Sequence, residues 1–160
     1  MRRCMKNMEV FRSGARTLAR SHRYWQAFGA SVVALDFLMD FKSSYGEDEP
    51  TAEMFKTADN VLLVSYANFV GDKFDRLAYP TEVLKNQART GYSNLEPTSA
   101  IIDNLARLRI HPDITMAKEG WPFAIQALSM YWGAEAKLKD GVLTIGDEVS
   151  VELDQFSDIY

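Results

Sequence analysis

PTAEMFKTADNVLLVSYANFVG, residues 50–71, is the stretch on which the reading of the fold turns. Pro50 suits the first turn of a helix, where its missing N–H would have had no partner. Glu53 then lies near the positive N-terminal end of that helix. Met54, Phe55, Ala58, Leu62 and Tyr66 follow at spacings of mostly three to four, the period of a helix with one apolar face. The run Val61–Val64 is compatible with a strand when taken alone. The flanking spacing nevertheless predicts a helix that continues to about Val70, with Gly71 as its stop.

Working outward, residues 30–41 read as a largely buried helix through Val32, Val33, Leu35, Phe37, Leu38 and Met39, with Asp36 and Asp40 as a polar edge. The segment SSYGEDEP at 43–50 is a loop, and 72–79 is a short connector. Pro80 and Thr81 start a helix that Gly91 ends, and Pro97 starts another over 97–109. His111, Pro112 and Asp113 break that helix. Trp121 and Pro122 open the next, which runs through Phe123, Ile125, Leu128, Met130, Tyr131 and Trp132 to Gly133.

The period then changes. Ala136–Lys139 and Val142–Ile145 flank Asp140 and Gly141, the two residue types that best tolerate the positive φ angles of a two-residue hairpin turn. Gly146 and Asp147 offer a second turn, and 149–153 alternates as a third strand. The expected fold is therefore mainly α: a compact bundle of about five to six helices with a C-terminal β-hairpin or meander, α+β at its margin. One domain is expected over 1–160, with a basic amphipathic helix at 1–29, a helical core at 30–133 and an acidic hairpin and tail at 134–160. No internal repeat is evident.

The order of helix 97–109, helix 122–132 and hairpin resembles the layout of a winged-helix domain. In a DNA-reading version the second helix must present Arg, Asn or Gln to base edges. Here it carries Gln126 and Ser129 but no Lys or Arg. The resemblance therefore implies protein contact rather than sequence-specific reading.

Charge is unevenly spread. Residues 1–29 hold seven basic side chains against Glu9, a net of +6, so the remaining residues carry −10 of the overall −4. From Asp140 onward there are six carboxylates and no Lys or Arg. Arg12, Arg16 and Arg20 repeat at four, with Arg23 close behind, and form a cationic stripe on an amphipathic helix. That stripe is either a solvated face, an internal partner for the acidic C-terminus, or a surface for nucleic-acid phosphates or an anionic membrane. An acidic protein is repelled by nucleic acid over most of its surface, which favours the first two.

Catalytic signatures are sparse. There is no Gly-rich phosphate loop, Gly-x-Ser-x-Gly elbow or His-Glu-x-x-His. Cys4 is the single thiol, three residues from the first, and no disulfide within the chain can form. With only His22 and His111, no zinc spacing can be built. His111 reads as a turn histidine bonded to backbone rather than a general base. No metal and no cofactor is expected.

Aromatic side chains make up 12% of the chain, enough to fill a core and leave some for an interface. Phe123, Ile125 and Leu128 are assigned to the core. Trp121, Tyr131 and Trp132, at the ends of their helix, are assigned to a protein partner.

The resulting expectation is a soluble, non-catalytic protein-interaction module: a small subunit of a larger assembly, or an inhibitor of the immunity-protein type, with self-association also in view. A nucleic-acid-associated accessory protein using Arg12, Arg16, Arg20 and Arg23 is the alternative. A cytoplasmic location is expected, and the mitochondrial matrix would follow if the Arg-rich start were a targeting segment.

Overall fold

The computed structural model describes residues 29–71, 73–94, 108–116 and 120–159. Within them the fold is a β-rich α+β arrangement with more strand than helix, not a helical bundle. The decisive stretch splits in two. Helix α1 covers Asp48–Ala58 and ends where Asp59 turns left-handed at φ 57, its N–H returning to the carbonyl of Phe55. Strand β2 then runs over Val61–Val70.

The cause is visible in the burial of β2. Val61 to Ser65 are all buried, because neighbouring strands and two layers of helix cover both faces. A strand buried on both sides loses its alternation and reads as a continuous apolar run. Its period therefore gives no sign of a strand, and the spacing of Leu62 and Tyr66 mimics a helix.

Residues 30–41 are likewise not helical. They contain strand β1, Val33–Leu35, which pairs in parallel with Val61–Leu63. The crossover that a parallel pair requires is supplied by α1. Asp36 and Asp40 are exposed and share no helix face.

Gly71, at φ 62, lies in the turn from β2 to the antiparallel strand β3, Lys73–Ala78. The expected helix from Thr81 to Gly91 shrinks to one turn, α2 at Glu82–Lys85. Strand β4, Arg89–Tyr92, follows and pairs in parallel with Leu62–Ser65. Beyond β4, the side-chain amide of Asn94 continues the ladder. Its Oδ1 accepts from the N–H of Ala67 at 2.6 Å, and its Nδ2 donates to the carbonyl of Ala67 at 2.8 Å. Both backbone groups of Ala67 thus face the β4 edge, which leaves β3 to the opposite edge of β2.

Most of the expected helix 97–109 lies outside the described residues. Leu108–Arg109 is a strand, β5, which pairs with β9 at Asp158–Ile159. His111-Pro112-Asp113 does not end a helix; α3 at Pro112–Met116 begins there, with proline at the first helical position.

Helix α4, Phe123–Trp132, forms as its sequence predicts, with Gly133 as a left-handed cap at φ 63. So does the meander β6 (Ala136–Lys139), β7 (Val142–Ile145) and β8 (Val149–Glu152). Asp140 and Gly141 both adopt positive φ in the first turn.

The layers stack in a definite order. Phe55 and Ala52 of α1 pack on Val61, Leu63 and Leu84, on one face of the mixed sheet. Gly91, on the other face, abuts the backbone of Phe123 in α4. Ile125 of α4 then packs with Ile110, Leu143 and Ile145 on the meander. The sides of α4 that meet the two sheets account for Ile125 and the half-buried Phe123, while Ala124, Leu128, Tyr131 and Trp132 remain exposed. The winged-helix layout is not borne out, because Leu108–Arg109, placed in its first helix, is a strand, and α4 packs at Gly91 on the mixed sheet.

The chain end is tied down by ions and turns. Arg109 grips Asp158 through two bonds, Nε to Oδ1 at 2.8 Å and Nη2 to Oδ2 at 3.0 Å. Oδ1 of Asp154 accepts from the N–H groups of Phe156 and Asp158, which closes the turn before β9.

Candidate functional site

The α4 helix presents a second, uncovered side. Ala124, Ala127, Leu128 and Tyr131 recur at three and four and so share one face. Together with Ser31, Val32 and Ala34, from β1 and its lead-in, they line an open groove of about 640 Å³. The depression is shallow and open, with the small side chains of Ala124 and Ala127 beside the larger Leu128 and Tyr131. No charged residue lines it.

Beside the groove, the rings of Tyr131 and Trp132 meet edge to face, 5.5 Å apart at 80°. Leu128 is 37% exposed, Tyr131 61% and Trp132 38%. Adjacent exposed apolar side chains of this kind mark interaction surfaces more often than isolated ones do.

The three aromatics assigned to a partner therefore separate. Tyr131 and Trp132 are together on the surface. Trp121 is partly buried against the cluster of Ile110, Ile125, Leu143 and Ile145, and its carbonyl accepts the N–H of Tyr92. Among the residues assigned to the core, Ile125 is buried and Phe123 half-buried, but Leu128 is a wall of the groove. The groove residues Ser31, Val32, Ala34, Ala124 and Ala127 carry no conspicuous chemistry and were not singled out from sequence. The usable signal was the row 124, 127, 128 and 131, small and then large along one helix face. Arg12, Arg16, Arg20, Arg23 and Cys4 lie outside the described residues.

His111 belongs to a different neighbourhood. Its backbone N–H donates to the hydroxyl of the buried Tyr92 at 3.1 Å, and its ring sits 4.8 Å from that of Phe69. The Tyr92 hydroxyl in turn donates to the carbonyl of Arg109 at 3.5 Å. Burial pushes the Tyr92 phenol up to about 12, opposed by the hydrogen bond from His111. This cluster joins β4 to the start of α3 and does not line the α4 groove.

Among the described residues, no group of three or more His, Cys, Asp or Glu is placed to hold a metal ion. No helix among them is long and apolar enough to cross a membrane. No protein-family model, curated protein or solved structure matches the chain.

Proposed function

We propose that this chain is a non-catalytic interaction module that docks a protein partner on the outer face of α4. The observation that carries the reading is the uncharged groove between α4 and β1, flanked by the exposed pair Tyr131 and Trp132. Tyr and Trp are enriched where interfaces concentrate their binding energy, because each buries a large area for few rotatable bonds. The anchoring of α4 on both sheets, through Phe123 at Gly91 and Ile125 at Leu143 and Ile145, supports the same reading. A face with little freedom to lose on docking binds at lower entropic cost.

The test is site-specific photocrosslinking in the full chain. A photoreactive side chain at Leu128 or Tyr131 is expected to join one discrete protein partner, whereas the same group at Glu53, on exposed α1, yields none. The pair Leu128→Ser and Tyr131→Ser is expected to abolish the crosslink placed at Trp132. A clean monomer with equal, diffuse labelling at all positions would sink the reading.

A further inference from the structure

Strand β1 lies at an edge of the mixed sheet: it pairs with β2, and no other described strand pairs with it. The register shows which of its backbone groups are in use. The N–H of Val33 donates to the carbonyl of Asn60 at 2.9 Å, and Val33 and Leu35 stand opposite Val61 and Leu63. Alternate residues of a strand bond to a given neighbour, so the N–H and C=O of Ala34 point away from β2. Ala34 is exposed, and among the described residues no backbone group bonds to it from the other side.

Open edges are normally blunted by charged side chains. Strand β3 carries Lys73, Asp75 and Arg76, β6 carries Lys137 and Lys139, and β8 carries Glu152. Among the described strands only β1, β2 and β7 lack a charged residue, and β2 and β7 lie between other strands. The uncharged edge is therefore β1.

The two faces of β1 also differ. Leu35 packs with the α1 cluster, as does Leu63 opposite it. Ala34 thus faces the other side, where with Val32 it lines the α4 groove. In an added strand, the residue opposite Ala34 would carry its side chain on that same face, beside Leu128 and Tyr131.

We infer that the partner docks as an extended segment that adds a strand to the free edge of β1, with apolar side chains opposite Val32 and Ala34 seated in the α4 groove. Main-chain hydrogen bonds then supply affinity, and the alternate side chains specificity. The inference rests on the reading of α4 as a docking face and adds the backbone conformation and side-chain pattern of what docks. A second copy of the chain fits less well. Antiparallel pairing of two β1 strands about Ala34 would set Asp36 of each opposite Val32 of the other, and bring a carboxylate to the uncharged groove.

Two labelled peptides of one composition test this by fluorescence anisotropy against the full chain. In the first Leu alternates with Thr; in the second the same residues place Leu at helical spacing. The alternating peptide is expected to bind at least about tenfold more tightly. Single N-methyl groups walked along it should weaken binding about tenfold at every second amide, those facing β1, and less than about twofold at the amides between. Leu128→Ser with Tyr131→Ser should weaken both peptides. Amide exchange followed by NMR reads the edge directly. In the free chain the Ala34 N–H should exchange at least about tenfold faster than those of Val33 and Leu35, and saturating alternating peptide should slow it about tenfold or more.

If the N-methyl groups have no alternating effect, or the helical peptide binds more tightly, while Leu128→Ser and Tyr131→Ser still weaken binding, the strand inference falls and the docking reading stands. Binding that ignores those two substitutions overturns both. No binding of either peptide overturns the strand inference. An Ala34 N–H already protected in the free chain overturns it too: protection independent of concentration assigns the edge to another segment of this chain, and protection that grows with concentration assigns it to a second copy.

Discussion

A single methyl group at Gly91 tests the layer order of the fold. A Cβ built there would lie 2.7 Å from Cα of Phe123, 3.2 Å from its nitrogen and 3.3 Å from Cβ of Gln126. Ordinary contact begins near 3.4 Å, so the first of these must open by at least 0.7 Å. The obstructing atoms are mostly backbone, so no rotamer change relieves them. Helix α4 would have to move away from β4, although the N–H of Tyr92 is bonded to the carbonyl of Trp121 at 3.0 Å just ahead of the helix. Overpacking of a well-filled interior costs about 1–3 kcal/mol, sometimes more, and a backbone collision belongs at the upper end.

For a chain of this size, about 3 kcal/mol lowers the melting temperature by roughly 6–12 °C. Gly91→Ala is therefore expected to melt that much lower in calorimetry, with altered Trp fluorescence as α4 shifts. Gly46→Ala is the control. It has nothing within 4 Å but a φ of +65, and should cost only about 1–2 kcal/mol. A Gly91→Ala protein that melts within about 1 °C of the parent would refute the packing of α4 on β4.

Two further outcomes follow from buried polar groups. The folded Tyr92 phenol holds its proton to about 12, whereas the unfolded one releases it near 10.0. Its contribution is fully present below pH 10 and is lost as pH rises through 12. The unfolding free energy from denaturant titrations should fall over that interval by a total of about 2–3 kcal/mol. Tyr92→Phe should remove this slope while costing about 1–3 kcal/mol at neutral pH, because the His111 N–H loses its acceptor; an unchanged alkaline slope would refute the assignment. At the chain end, Asp158 is 2% exposed while the Arg109 side chain is 30% exposed. Arg109→Met should therefore cost about 3–5 kcal/mol by stranding a buried carboxylate. Asp158→Asn should cost less, about 1–2 kcal/mol, since Arg109 can reach water. Urea denaturation showing the reverse order would contradict this asymmetry.

Local chemistry was legible wherever it acted alone. Asp140 and Gly141 specify their turn through backbone sterics, and Gly133 stops α4 for the same reason. The alternation of β8 and the paired strands before it survive because the meander has one face on the core and the other toward solvent. These features need no distant partner to be recognised. The expected helices at 30–41 and 61–70 failed for the opposite reason. Val33–Leu35 and Val61–Val70 become strands because they pair with each other, and Val61–Val70 also with β4, across long separations in sequence; three residues are too few to show a period, and Val61–Ser65, buried throughout, shows none. Gly91 looked like a helix stop when the relevant fact was the backbone of Phe123, more than thirty residues away.

The candidate site divides along the same line. The sequence marked Tyr131 and Trp132 as large apolar groups at a helix end, and it marked helix 123–132 as central. It could not show which side of that helix the two sheets would leave open. Only their packing turned Trp121 toward the core, left Leu128 as a wall of the groove, and set Ala34 of β1 beside it. By itself the sequence determined the Asp140-Gly141 turn, the Gly133 cap and the C-terminal meander, all set by bonding and sterics within a few residues, and the division of charge. The tertiary structure decided the strand pairing and the exposed face of α4, because both depend on which distant surfaces exclude water together.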